Sequence, residues 1–155
     1  MKLPRRRRLE GKTYYKARLA MLKSGKPRLV VRKTNKYLIA QIVVSEVAQD
    51  KVLFGVTSSH LLQKGWPKDN PGSLKNKVAS YLTGYLIGLK AKGKIKEAIL
   101  DFGLHRNVQK SRIYALVKGA IDSGLSIPCD KESLPSTDSI KSQDKLNIIN
   151  KIIKE

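Results

Sequence analysis

Apolar and polar positions alternate in three short runs along the first part of the chain, Arg28–Thr34, Tyr37–Ser45 and Lys51–Ser58, which read as β-strands. Their connections, Asn35-Lys36 and Glu46–Asp50, are short enough for an antiparallel meander. The middle run is apolar on both faces, with Leu38, Ala40, Ile42 and Val44 against Ile39 and Val43, which predicts a central strand covered on both sides. Upstream, Thr13 is placed to cap a helix ending near Ser24. Tyr15, Leu19 and Leu22 share one face of it, and Gly25 is available to stop it.

Downstream the period becomes helical. Ser59–Lys64 reads as one helical turn, and Gly65–Gly72, with its prolines, glycines and Asp-Asn pair, as a loop. Ser73 is the expected cap of a long helix to about Lys92, with Leu74, Val78, Tyr81, Leu82, Tyr85, Leu86 and Leu89 as its apolar stripe. Glu97–Phe102 is a short strand, and Gly103–Lys110 a polar loop. Ser111 opens a further helix with Ile113, Leu116, Val117, Ala120 and Ile121 at core spacing, closed by Gly124. Pro128–Thr137 reads as a linker and Ser139–Glu155 as a final helix. The order β-β-β-α-β-α predicts an α/β fold: a mixed sheet with an antiparallel three-strand meander and helices on its faces. A basic arm occupies residues 1–12, the body 13–128, and a linker with a C-terminal helical tail 129–155.

Charge changes this picture from a fold to a partner. The 155 residues hold 32 Lys+Arg against 12 Asp+Glu, a formal net charge of +20. Residues 1–36 carry 14 of those bases and one acid, Glu10, so that stretch is +13 and the remainder +7. Four consecutive arginines, Arg5 to Arg8, cannot bury one another and predict an extended or disordered arm. So uneven a surplus repels itself in a compact state and points to a polyanion, with nucleic-acid phosphate the usual counterpart. A solvated basic surface is the plain alternative. Anionic lipid ranks low, because residues 1–12 show no apolar face to insert beside the charges.

Other chemistries fail on inspection. The single Cys129 excludes an internal disulfide and a cysteine-cluster zinc site, and fits a reducing setting. Neither a signal-peptide run at Met1–Arg5 nor a stretch of membrane-spanning length is evident. Gly88–Lys94 has phosphate-loop spacing, but Ile95 stands where a Ser or Thr would bind Mg²⁺, and the segment follows a helix instead of a strand. Gly84 and Gly88 form a GxxxG best explained by close packing of the helix on the sheet. Asp101 lacks the convergent acids that metal-dependent phosphoryl chemistry requires, and reads as a strand-end carboxylate bonded to nearby backbone. His60 and His105 have no metal partner in sequence, and Trp66 beside Pro67 reads either as stacking on a base or as packing its loop onto the body. No catalytic or metal-binding constellation remains.

Bases interleaved with aromatics mark where RNA would lie. Arg5, Arg6, Arg7 and Arg8 lead into Lys12, Tyr14, Tyr15, Lys16 and Arg18, combining phosphate pairing with ring contacts. Arg28 follows, and then Arg32, Lys33, Thr34, Asn35, Lys36 and Tyr37 cluster at a hairpin turn. A second group, His105, Arg106, Lys110, Ser111 and Arg112, ends at a helix N-terminus whose free N–H groups favour phosphate. The arginines can grip phosphate oxygens in pairs, as lysine cannot.

Three segments carry a resemblance. Thr13–Gln41, TYYKARLAMLKSGKPRLVVRKTNKYLIAQ, resembles the archaeal and eukaryotic branch of the universal L-eighteen family of ribosomal proteins; so do Tyr81-Leu82-Thr83-Gly84 and Leu100–Pro128, LDFGLHRNVQKSRIYALVKGAIDSGLSIP. The length looks archaeal. The resemblance implies a ribonuclease-H-like body without nuclease activity or cofactor. It also implies 5S rRNA binding in the central protuberance of the large subunit, in the cytoplasm, with contacts to large-subunit rRNA and to neighbouring ribosomal proteins. The arm and the Arg32–Tyr37 turn would face RNA. The alternative is a non-ribosomal, sequence-nonspecific nucleic-acid-binding protein of architectural or chaperone type.

Overall fold

A computed structural model of the chain describes residues 3–47, 49–67, 74–136 and 140. Three strands form the meander: β1 (Arg28–Lys33), β2 (Leu38–Glu46) and β3 (Gln49–Thr57). A fourth, β4 (Ile99–Asp101), adds to the free edge of β1, giving the order β3-β2-β1-β4. β1 pairs antiparallel with β2 and parallel with β4, so the sheet is mixed. β2 and β3 pair antiparallel with a register shift at Ile42/Val43. These strands run to Glu46 and start again at Gln49, so the connection is tighter than Glu46–Asp50. Val47 sits there fully exposed at φ 45°, left-handed backbone that a β-branched residue rarely adopts.

One face of the sheet makes the core. Leu29, Val31, Ala40 and Ile42 are wholly buried there, the three larger side chains each worth roughly 1.5–3 kcal/mol relative to exposure. Two helices cover this face: α4 (Lys77–Ala91) packs on β2 and β3, and α5 (Arg112–Asp122) packs on α4. With neighbours on two sides, α4 buries more than the expected stripe, including Ala79, Ser80, Thr83 and Ile87. The two buried hydroxyls return to the preceding turn, Ser80 donating to the Asn76 carbonyl and Thr83 to that of Ala79, both at 2.7 Å. The cap of α4 is Asn76, whose side chain accepts from the Ala79 N–H at 2.7 Å; the expected cap, Ser73, lies outside the described residues.

The glycines of α4 meet a helix, which corrects the expectation of a sheet contact. A Cβ on Gly84 would strike the Leu116 backbone, one on Gly88 would strike Ser123, and one on Gly119 of α5 would strike the Tyr81 carbonyl. The small residues therefore let two helix backbones touch, a separation that any side chain would widen.

The second face of the sheet is less covered than the pattern of β2 predicts. Val43 is buried there, whereas Ile39 and Gln41 are only half-buried. Short helices complete the described chain: α1 (Arg6–Leu9), α2 (Tyr15–Lys23) and α3 (His60–Gln63), with a 3₁₀ turn at Lys131–Ser133. The helical turn at Arg6–Leu9 corrects the extended arm, and Arg6 and Glu10 brace it at i,i+4 with a 3.0 Å ion pair. The cap position of α2 is Tyr14, not the expected Thr13, and the helix buries none of its residues. Of its two readings, Trp66 takes the second and packs into the core. The expected helix over Ser139–Glu155 lies outside the described residues, apart from Ile140, which is buried.

Candidate nucleic-acid interface

The arm folds back on α2. Arg7 Nε donates to Thr13 Oγ1 at 2.9 Å, and the Arg5 guanidinium lies 4.7 Å from the centroid of the Tyr15 ring. Lys12 reaches Glu10 at 2.8 Å. Arg5, Arg8, Lys16 and Arg18 thereby line an open groove of about 700 Å³ together with Tyr15 and Leu19. Arg8 has no side-chain partner among the described residues, and Tyr14 is 59% exposed, so both are presented outward.

Behind the groove, five charges alternate across the sheet. Arg18 Nη2 donates to Asp50 Oδ2 at 2.8 Å, and Arg28 Nη2 donates to the other oxygen, Oδ1, at 2.6 Å. Arg28 Nη1 donates to Asp101 Oδ2 at 3.0 Å, and Arg32 Nη2 to Asp101 Oδ1 at 3.1 Å. Desolvation pushes the Asp50 carboxyl up, but hydrogen bonds from Ser45, Arg18 and Arg28 and the charge of Arg28 outweigh it, lowering the pKa from 3.8 to about 2. Arg28 is 2% exposed with its guanidinium committed to two carboxylates, which corrects its assignment as an RNA contact. It organises the two exposed arginines at the ends of the array. Asp101 accepts from the Gly103 N–H at 2.9 Å, the backbone bond expected of it, and the two arginines are additional.

The parallel pairing of β1 with β4 brings the other candidates to the same end of the sheet. The Lys33 N–H donates to His105 Nε2 at 3.0 Å, tying the loop after β4 to the hairpin after β1. Accepting there fixes His105 as the neutral tautomer with its proton on Nδ1, and desolvation, with the charges of Arg32 and Lys33, lowers its pKa. Lys33, His105, Arg106, Ser111 and Arg112 line one cavity of about 420 Å³. Ser111 Oγ, almost without exposed surface, has no hydrogen-bond partner among the described residues. Arg7, Lys12, Tyr14 and Arg18 line a second, smaller cavity with Arg32 and Gly103, so arm and loop groups adjoin.

The Thr34–Tyr37 turn is closed internally. Thr34 Oγ1 donates to the Tyr37 carbonyl at 2.8 Å and accepts its N–H at 2.9 Å, leaving the Lys36 and Tyr37 side chains exposed. Lys75 Nζ donates to the Asn35 carbonyl at 3.0 Å and joins the basic rim, an addition the strand pattern gave no sign of. Lys110 departs from the group: its N–H bonds the Ser133 carbonyl at 2.9 Å, and it lines a separate depression with Lys118 and Lys131. Sequence reasoning also missed Asp50, which sits in a hairpin arm with nothing local to mark it. Among the described residues no cluster of His, Cys, Asp and Glu is suited to a metal ion, and no helix is long and apolar enough to cross a membrane.

Comparison with known proteins identifies the family. Residues 1–97 match the family model described as ribosomal large subunit proteins 60S L5 and 50S L18. The protein named large ribosomal subunit protein uL18 from Aeropyrum pernix is 44% identical over 142 residues, covering 90% of this chain and 64% of that protein. Its namesake in Korarchaeum cryptofilum is 43% identical over 151 residues (97% and 75%), and that in Caldivirga maquilingensis 47% over 140 (89% and 66%). The chain thus spans about two thirds to three quarters of the length of these relatives. A match over more than half the chain, together with identities of this size over most of it, shows one lineage: the chain belongs to the ribosomal large-subunit L5/L18 family.

Proposed function

We propose that the chain is a non-catalytic structural component of the large ribosomal subunit in the cytoplasm, which binds 5S rRNA and helps attach it to large-subunit rRNA in the central protuberance, beside other ribosomal proteins. One observation carries the reading: a basic arm, α2, the end of β1 and the loop before α5 converge on one end of a sheet in a member of this family. The proposed RNA contacts are Arg5 to Arg8, Lys12, Tyr14, Tyr15, Lys16, Arg18, Arg32 to Tyr37, His105, Arg106, Ser111 and Arg112, with Lys110 on a neighbouring surface. Arginine and lysine displace counterions from phosphate, while the sheet fixes their geometry. The finer architecture belongs to the same proposal: a ribonuclease-H-like body over 13–128, an RNA-binding arm over 1–12, and a linker with a helical tail over 129–155.

The test is competition binding of the full chain to 5S rRNA against tRNA and an unrelated duplex in about 0.2 M salt, where nonspecific phosphate contacts are weakened. Preference for 5S rRNA that survives both competitors is the expected result. Equal displacement by every nucleic acid would overturn it in favour of a nonspecific architectural or chaperone-type binder.

A further inference from the structure

Arg32 is the cation at the junction of the two basic groups, and it is held unusually well for a side chain 41% exposed. Nη1 donates to the main-chain carbonyls of Val31 at 2.9 Å and Asp101 at 2.8 Å, and Nη2 donates to Asp101 Oδ1 at 3.1 Å. Asp101 is itself immobilised. It is 5% exposed, its Oδ1 also accepts the Gly103 N–H at 2.9 Å, and its Oδ2 is bound by the buried Arg28 at 3.0 Å. Gly103 supplies the floor: at φ +62°, a Cβ there would lie 3.0 Å from Arg32 Cζ, 3.2 Å from Nη2 and 3.3 Å from Nε.

Three of the five guanidinium N–H groups are thus consumed, all through Nη1 and the inner side of Nη2. The remaining two, Nε–H and the second Nη2–H, are the parallel donors of the other edge, and no described residue takes them. We propose that Asp101 and Gly103 are positioning residues that seat Arg32 with this edge turned outward, preset to take two oxygens of one RNA phosphate. The inference rests on the RNA-binding reading and names how one of its contacts is built.

Two physical effects favour the arrangement. A free arginine loses much of its rotamer entropy when immobilised, and here folding has already incurred most of that loss. Asp101 does not cancel the charge that phosphate would see, because Arg28 shares it: Arg28, Asp101 and Arg32 together remain cationic. Arg7, Lys12 and Arg18 line the same small cavity of about 150 Å³, so a phosphate at the free edge would meet further cations.

The test is 5S rRNA binding by the full-length wild type and by Arg32→Lys, Arg32→Ala, Gly103→Ala and the Arg32→Ala/Gly103→Ala double variant. A preset fork predicts that Arg32→Lys, which keeps the charge but not the planar edge, weakens binding about tenfold, nearly as much as Arg32→Ala. Recovery by Arg32→Lys to within about threefold of wild type would show that a point charge suffices, and would overturn the proposal. Gly103→Ala is expected to weaken binding in the wild-type background and to add nothing once Arg32 is alanine; an equal loss in both backgrounds would overturn it. If Gly103→Ala does not fold, the Arg32→Lys comparison decides alone. A wild type that binds no RNA would sink the functional reading and this one together, whereas wild-type binding indifferent to Arg32 would sink this one only.

Discussion

Arg28 and Asp101, 73 residues apart in sequence, meet at 3.0 Å in the interior, with side chains 2% and 5% exposed. A buried ion pair adds little over a well-packed apolar pair, but removing one partner strands the other charge away from water. Arg28→Met is therefore expected to destabilise the protein by about 3 kcal/mol, read from the denaturant midpoint. Asp101→Ala should cost more, because it leaves Arg28 with Asp50 alone and also releases Arg32 and the Gly103 N–H. RNA affinity of Arg28→Met, measured well below its melting temperature, should fall less than that of Arg32→Ala, because the side chain reaches RNA only through its hold on Asp101. A loss as large in a fully folded variant as that of Arg32→Ala would mean that Arg28 itself contacts phosphate.

Asp50 makes the same array sensitive to acid. Its folded pKa of about 2 lies below the unfolded value, so the ionised form stabilises the fold above about pH 4. That contribution is lost as pH falls from about 4 through 2. Because Asp50 is exposed and screened by solvent, Asp50→Asn should lower stability at pH 7 by only about 1 kcal/mol and flatten the fall between pH 4 and 2. Thermal melts of both proteins across that window check the sign: the two curves should converge at the acid end.

How far these features could be read from sequence depends on how local their causes are. The three meander strands appear within about two residues of the expected ends, because period-two alternation is set by adjacent residues. The carboxylates that claim Arg28 lie 22 and 73 residues away, so within a basic run it looks like one more phosphate contact. Gly84 and Gly88 announce a close approach, but only the fold shows that the neighbour is α5. The basic clusters around Arg32 and His105 were each legible. Their adjacency was not, since it follows from the parallel pairing of β1 with β4.

The α4–α5 contact gives a prediction in which two effects oppose. Gly84→Ala gains roughly 1 kcal/mol of helix propensity. Its Cβ, however, would collide with the backbone of Leu116, which cannot rotate away as a flexible side chain would. Overpacking of 1–3 kcal/mol or more should win, so Gly84→Ala and Gly119→Ala each lower the urea midpoint. The double variant should lose less than the sum, because either change alone already parts the helices.

Val47 offers the opposite sign. It is 99% exposed at φ 45°, a conformation that costs an L-residue about 1–2 kcal/mol and that asparagine tolerates better. Val47→Asn should raise the unfolding midpoint by the equivalent of roughly 1 kcal/mol, with RNA affinity unchanged. A drop in stability would mean that the valine side chain makes a contact worth more than its backbone strain.

The arm separates binding from folding most cleanly. α1 contributes no buried residue; Arg5 stacks on a half-buried ring, and Arg6 and Arg7 pair with partly exposed Glu10 and Thr13. Such surface pairs are worth little to stability. Replacing Arg5, Arg6, Arg7 and Arg8 with alanine should therefore leave the melting temperature nearly unchanged. RNA binding should behave otherwise. Each arginine that neutralises a phosphate contributes about 0.7–0.9 to the slope of log affinity against log salt, so the variant should bind more weakly and lose up to about three units of slope. An unchanged slope would mean that the arginines touch no phosphate and that the +13 of residues 1–36 acts through its other bases. A collapse of the melting temperature would instead make the arm part of the folded body, held there by the Arg7–Thr13 and Arg5–Tyr15 contacts.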